Sequence, residues 1–298
     1  MRTVMDLVAT LIHPAALSPA AVVPVVQALG SEHAERLSEN ATDIFCTGTP
    51  QEARAVALDV LAGAPIDVVV QPVAGRRKKL LISDMDSTLI EQECIDELAA
   101  VHDLKPRVAA ITERAMRGEL DFAAALTERV ALLKGIPEAS IATLLASVIT
   151  ASPGAATMIA TLRAHGVRTV LVSGGFMQFA EPVAARLGLE AAYANRLIVV
   201  DGLLVGTVAQ PILGADAKRE RLRLECEAMG VGPEDALALG DGANDLAMIA
   251  EAGLGVAYRA KPAVSAAADA EIRHADLTGV LYAMGIRRAD FTEIPSDS

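Results

Sequence analysis

Apolar and polar positions alternate along the chain in two successive rhythms. In residues 1 to about 75, short apolar runs of strand length ("VMDLVATLI", "TDIFCT", "IDVVVQPV") are separated by runs with helical spacing ("PAAVVPVVQALG", closed by Gly30, and "QEARAVALDVLAG"). This order predicts a small α/β unit with three clear strands. The basic run "GRRKK", residues 75–79, reads as a solvated linker out of it. From Leu80 onward the apolar runs predict a larger α/β pattern. "KLLIS", "RTVLVS" and "DALALG" read as buried strands followed by small or glycine-rich loops, and a further short strand, "LGVAY", follows at 254–258. Strands alternating with helices predict a Rossmann-like, doubly wound parallel sheet. "RLIVVDGLLVGTV" sets Asp201-Gly202 between two apolar runs and predicts a hairpin. Pro182 predicts a helix that is kinked or starts late.

About 75 residues separate the first two of these strands, too many for a single crossover. Most of them read as helix. The clearest case has Asp121 as N-cap, "FAAALTERVALLK" as body and Gly135 as stop. An all-helical insert at about 92–150, placed after the first strand, predicts a cap over whatever binds there. The division expected is therefore a unit at 1–75 and a larger domain at 78–298.

Composition narrows the function classes. The chain has 298 residues, is 52% hydrophobic and carries a net charge of −12. That balance argues against a broad nucleic-acid or anionic-membrane surface, since both need a basic face. Residues 7–30 carry no formal charge, but Pro14, Pro19 and Pro24 interrupt the run, so a membrane-spanning helix is not expected. Three well-separated cysteines, Cys46, Cys94 and Cys226, form no CxxC pair, which points to a reducing, cytoplasmic setting.

The candidate chemistry gathers after the strands. Asp84 and Asp86 follow the first, Ser173-Gly174-Gly175 the second, and Asp241, Asn244 and Asp245 the third. Ligands of open parallel sheets bind beyond the carboxyl ends of the strands, so these groups converge on one crevice. Acids from two strands make an oxygen-rich site suited to Mg²⁺. Taken singly, each acid is equally well an N-cap or turn residue. "SGGF" offers a hydroxyl and backbone N–H groups to phosphate oxygens, and Lys218 near the start of a helix could pair a phosphate. Phe122 and Arg129, seven residues apart, share a helix face. An arginine there suits a carboxylate, and Glu93 suits an ammonium group. Arg129 is otherwise a surface partner of Glu128 or Glu113.

"DMDST", "SGG", Lys218 and "GDGAND" resemble, in order, the four motifs of the haloacid-dehalogenase superfamily of phosphotransferases, across roughly residues 78–285. "DMDSTLIEQECIDELA", "ITERAMRGELDFAAALTERVALLKG", "SGGF", "ANRL" and "GDGANDLAMI" are similar, more narrowly, to its phosphoserine phosphatase family. The resemblance implies Mg²⁺-dependent hydrolysis of O-phospho-L-serine, the last step of serine biosynthesis, or of another small phosphomonoester such as phosphohomoserine. It makes Asp84 the nucleophile and Asp86 the general acid and base. It assigns Mg²⁺ to Asp84, the Asp86 backbone carbonyl and Asp241, with Asp245 acting through water. Ser173, Gly174, Gly175, Lys218 and Asn244 then hold phosphate, while Glu93, Met116, Phe122 and Arg129 hold the rest of the substrate. It implies a small-molecule substrate and leaves a homodimer open. Two other readings stand beside it. One is a receiver-like module that stores phosphate on Asp84. The other makes the N-terminal unit an amino-acid sensor of the ACT type, with βαββαβ order.

Overall fold

The computed structural model describes residues 5–292. The chain opens with β1 (Leu7–Ile12), α1 (Pro19–Ala28), β2 (His33–Arg36), β3 (Ala41–Cys46), α2 (Pro50–Leu61) and β4 (Asp67–Pro72). The strands form one antiparallel sheet in the order β2-β3-β1-β4. Three of the four were expected. The fourth, β2, reads "HAER", pairs only with β3 and lies mostly exposed at the sheet edge, so it carries no apolar alternation to announce it.

Strand alternation explains how this unit is held. Leu7, Ala9 and Leu11 of β1, with Val68 and Val70 of β4, pack under α1 and α2. The other face, with Thr10, Asp43, Val69 and Gln71, turns to the rest of the protein and is buried as well. The supposed linker is its clamp. Arg76 bonds both oxygens of Asp43 (2.6 and 2.8 Å), Thr10 Oγ1 (2.8 Å) and the carbonyls of Tyr282 and Ala283 (both 2.8 Å). Lys78 is also buried, its Nζ donating to the Glu234 carbonyl at 2.9 Å. The "GRRKK" run is thus not a solvated connector throughout, because two of its cations satisfy buried oxygen atoms. Asp67 adds a second tie, accepting backbone N–H groups of Arg273, His274 and Ala275.

The larger body begins with β5 (Leu80–Ser83) and an irregular turn at 85–89. Four helices follow as the cap: α3 (Cys94–Ala100), α4 (Lys105–Met116), α5 (Phe122–Leu132) and α6 (Ala139–Ser147). Next come α7 (Ala155–Ala164), β6 (Arg168–Phe176), α8 (Met177–Leu187), β7 (Ala191–Asn195), β8 (Leu197–Val200), β9 (Leu203–Val208) and α9 (Ala215–Met229). The chain closes with β10 (Ala236–Gly240), α10 (Leu246–Glu251), β11 (Leu254–Tyr258), α11 (Pro262–Ala267), β12 (Ala270–Ile272) and α12 (Gly279–Ala283). Six strands form a parallel sheet, β12-β11-β10-β5-β6-β7. β5 is buried on both faces, Leu81 in one core and Leu80 and Ile82 in the other. The order of the strands reverses between β5 and β10, so ligands should gather where those two end.

β8 and β9 form the expected hairpin, with Asp201 (φ 50°) and Gly202 (φ 75°) at its turn. It packs on the cap, where the Gly135 N–H bonds the Leu204 carbonyl at 2.8 Å. Of the two alternatives expected at Pro182, the late start is not found: α8 begins at Met177 and runs through the proline. Pro182 lies on the exposed side of that helix, and the opposite, buried face (Phe179, Ala180, Val183, Ala184, Leu187) holds it in the core despite the missing N–H.

Replacing Arg76 by alanine strands the buried Asp43 carboxylate, and we expect a loss of about 3–5 kcal/mol in urea unfolding. Arg77→Ala, which removes one hydrogen bond from an exposed side chain to the Gly285 carbonyl, should cost about 1 kcal/mol or less.

Candidate active site

Asp84 leaves β5 in extended geometry (φ −65°, ψ 164°), and Asp86 is extended too (φ −64°, ψ 137°). Residues i and i+2 of extended chain point the same way. Both carboxylates therefore face one cavity while Met85 between them is buried in the core. Ser87 then turns the chain with φ 53°, and its hydroxyl donates to Glu93 at 2.7 Å. A left-handed non-glycine residue costs about 1 kcal/mol or more, and here it is held where the chain must double back beside the acids.

Lys218, on the first turn of α9, is fully buried between two acids. Its Nζ lies 2.8 Å from Asp84 Oδ1 and 2.7 Å from Asp245 Oδ1. Burial alone would lower its pKa, but the two carboxylates outweigh that and hold it fully charged. Asp84 Oδ1 also accepts the Met85 N–H at 2.7 Å, which fixes the carboxylate plane. Asp245 Oδ2 accepts the Gly242 N–H at 3.1 Å, so both its oxygens are engaged.

Negative charge still exceeds positive. Burial, then Asp245, pushes Asp84 well above the ordinary carboxylate range, against the pull of Lys218. Asp241 is raised to about 6 by burial, then by Asp245 and Glu93. Asp86 is raised to about 7 by burial, then by Glu93, although its Oδ1 accepts the Cys94 N–H at 3.1 Å. Oxygen atoms of Asp84, Asp241 and Asp245 lie within 4.8 Å of one another. Hard oxygen donors in this density, with one buried ammonium among them, fit a divalent cation.

The cavity measures about 510 Å³. Asp84, Asp86, Asp241 and Asn244 lie on its core side, with Ser173, Gly174 and Gly175 beside them. Glu93, Phe122 and Arg129 come from the cap, so the structure brings these sequence-identified residues together. Lys218 and Asp245 lie behind this lining and reach it through Asp84. Arg129 is not a surface ion-pair partner: Glu128 pairs with Arg114 and Glu113 with Arg117. Burial lowers the Arg129 pKa, while Asp96, Glu93 and Asp86 pull the other way. The side chain of Met116, the last residue of α4, lies outside the described set.

Two glycines are required by contact. A Cβ on Gly174 would meet Phe122 Cζ at 2.9 Å, and one on Gly175 would meet Asp86 Oδ2 at 2.8 Å and Ser173 Oγ at 3.1 Å. The Gly-Gly pair thus lets the cap phenyl and the second acid approach the β6 end closely. Three polar side chains of the cavity were not anticipated: Asp96 and Thr112 from the cap, and Lys261. Lys261 follows β11, and the rule that strands deliver ligands beyond their carboxyl ends would have found it. Asp96 stands three residues after Glu93 on α3, one helical turn away.

A family model of the haloacid dehalogenase-like hydrolases matches residues 78–253, more than half of the chain, and names the class that this sheet and acid cluster define. A phosphoserine phosphatase of Idiomarina loihiensis is 47% identical over 202 residues, covering 68% of this chain and 91% of that protein. One from Mycobacterium tuberculosis is 45% identical over 233 residues, 78% of this chain, which spans 57% of that relative's length. A crystal structure of a HAD family hydrolase from Salmonella enterica serovar Typhi superposes with a TM-score of 0.83 at 28% identity, covering 93% of this chain and 98% of that one. The chain belongs to the haloacid dehalogenase-like hydrolases and, within them, to the phosphoserine phosphatases.

Gly175→Ala should push Asp86 and Ser173 off position and cut kcat for phosphomonoester hydrolysis by about 100-fold or more. The thermal midpoint should move by only a few degrees, as calorimetry would check.

Proposed function

We propose that this protein hydrolyses O-phospho-L-serine to L-serine and phosphate in the cytoplasm. The observation that carries the reading is the pairing, in one cavity of about 510 Å³, of the Asp84/Asp86 floor with Glu93 and Arg129 of opposite charge in the cap. An arginine fork suits a carboxylate and a glutamate suits an ammonium group, so the cap is complementary to a zwitterionic amino acid. The floor is complementary to its phosphate. Phe122, pressed against Gly174, bounds the space on the cap side and favours a short side chain.

In this reading the Asp84 carboxylate attacks phosphorus, forming an acyl phosphate as the ester P–O bond breaks. Asp86 gives its proton to the departing serine oxygen. It then takes a proton from water, which attacks phosphorus, releases phosphate and restores the Asp84 carboxylate. A pKa of about 7 suits both duties near neutral pH. Asp84, Asp241 and the Asp86 carbonyl would hold Mg²⁺, with Asp245 supporting it through water. Bound there, the ion would offset the repulsion between the nucleophile and a phosphate dianion. Lys218 favours the ionised form of Asp84 against burial and orients it, and Ser173 with the backbone N–H groups of Gly174 and Gly175 would donate to phosphoryl oxygens as charge shifts. The acid Asp86 beside Asp84 favours turnover over a phosphate-storage role.

Asp84→Asn should abolish hydrolysis, by about 10⁴-fold or more, and leave no trapped acyl phosphate after acid quench. Rates across phosphoserine, phosphothreonine, phosphohomoserine and phosphoethanolamine test the substrate. Equal kcat/KM for all four would defeat the assignment to phosphoserine.

Asp86 must be protonated when the leaving oxygen departs, so kcat/KM falls as pH rises through its pKa. The Glu93 charge raises that pKa, and Glu93→Gln should therefore move the alkaline fall to lower pH. KM should rise in the same variant. An unmoved alkaline limb would separate Glu93 from the acid.

A further inference from the structure

A second cavity, of about 560 Å³, lies where the N-terminal unit meets the larger body. Its walls mix polar and apolar groups, with Leu58 of α2, Val70 of β4 and Gln71 on one side, and the C-terminal end of α11 with the residues that follow α10 and α11 on the other. Arg54, on the same face of α2 as Leu58, projects among them. Its Nε is buried and has no hydrogen-bond partner, and among the described residues Arg54 makes no ion pair. A guanidinium stays charged at any ordinary pH, so an unanswered buried N–H on one is costly. The neighbouring acid on α2 does not answer it, because Glu52 is bonded to Thr49. Asp269, across the crevice, accepts the Gly255 N–H on Oδ2 at 2.8 Å, and its charge reaches Lys78.

We propose that this crevice is a second ligand site, separate from the catalytic cavity, which takes a small oxyanion on the Arg54 fork. Carboxylate and phosphate groups share the required geometry: two coplanar or near-coplanar oxygens that accept from adjacent N–H groups of the guanidinium. The ligand would join the two units, since Arg54 comes from one and the opposite wall from the other. That wall also leads to the catalytic cavity. α10 runs from Asp245 to the crevice residues Ala252 and Gly253, and α11 runs from Lys261 to Ala268 and Asp269. Each helix has six residues, so about 9 Å of rigid backbone separates the two cavities along either path.

Tungstate, a tetrahedral oxyanion with a strong anomalous signal, can be soaked into crystals of the full chain, with parallel calorimetric titrations of inorganic phosphate and acetate. We expect an anomalous peak within hydrogen-bond reach of Arg54, distinct from any at Asp84, that disappears in Arg54→Met. Heat of phosphate binding lost in Arg54→Met, leaving only binding at the catalytic cavity, would identify a phosphate-bearing ligand. The same loss with acetate would identify a carboxylate. Dissociation constants should rise at least tenfold in Arg54→Met, while Arg54→Lys, which keeps the charge, should retain part of the affinity and so guards against misfolding of the first variant. A signal at the catalytic cavity alone, a crevice peak unchanged in Arg54→Met, or a peak with no Arg54-dependent heat in solution, an adventitious ion only, would each overturn the proposal. None of these outcomes depends on which phosphomonoester the enzyme hydrolyses.

Discussion

A lysine ammonium with no exposed surface, held at 2.8 Å from Asp84 and 2.7 Å from Asp245, is what lets this protein keep so many carboxylates at one sheet edge. Each acid there is buried wholly or in part, and burial penalises its charge. Burial, then the Asp245 charge, pushes Asp84 toward its protonated form, and the lysine is the group that pulls against them. A protonated nucleophile does not attack. Lys218 answers only part of the charge, and burial, with the remaining excess adding to it, raises Asp86 to about 7 and Asp241 to about 6. The same shortfall that costs stability in the free protein is what gives the site affinity for a cation and an acid that can both give and take a proton.

The parallel sheet converts that electrostatic problem into a position. Three strands, β5, β6 and β10, end at the same edge, beside the point where the strand order reverses; the segments leaving β5 and β10 supply the acids, and the last residues of β6 supply the glycine pair. The cap then completes the cavity from the other side. Its approach is limited by side-chain volume: Phe122 rests where any Cβ on Gly174 would stand. Cap and core are thus fitted by van der Waals contact, while recognition is carried by Glu93 and Arg129.

The N-terminal unit is tied to the body by a different device. One sheet face packs under its own helices and the other presents polar groups that find partners in the last quarter of the chain. Asp43 through Arg76, Gln71 to the Ala283 carbonyl, and Asp67 to three successive N–H groups all cross that boundary. Buried polar ties of this sort fix orientation more than they add stability, because their desolvation offsets much of their gain. The unit is therefore held in one pose beside α10 and α11.

Much of this was legible in the residues. Strand-length apolar runs located β5, β10, β11 and the start of β6, the Asp201-Gly202 pair located the hairpin, and the DxD spacing placed two carboxylates on one side because extended chain repeats every two residues. These features depend on neighbours in sequence, and local chemistry sufficed. What escaped depended on distant partners. β2 is a strand only because β3 lies beside it, and Arg76 and Lys78 read as solvated until the sheet and the Glu234 carbonyl close around them. Pro182 stays inside a helix because the core face of α8 outweighs one lost hydrogen bond. Asp96, Thr112 and Lys261 join the cavity through the placement of α3, α4 and β11. Charge and periodicity along a chain determine which groups can do chemistry, whereas burial and pairing across the fold decide which of them are desolvated and brought together to do it.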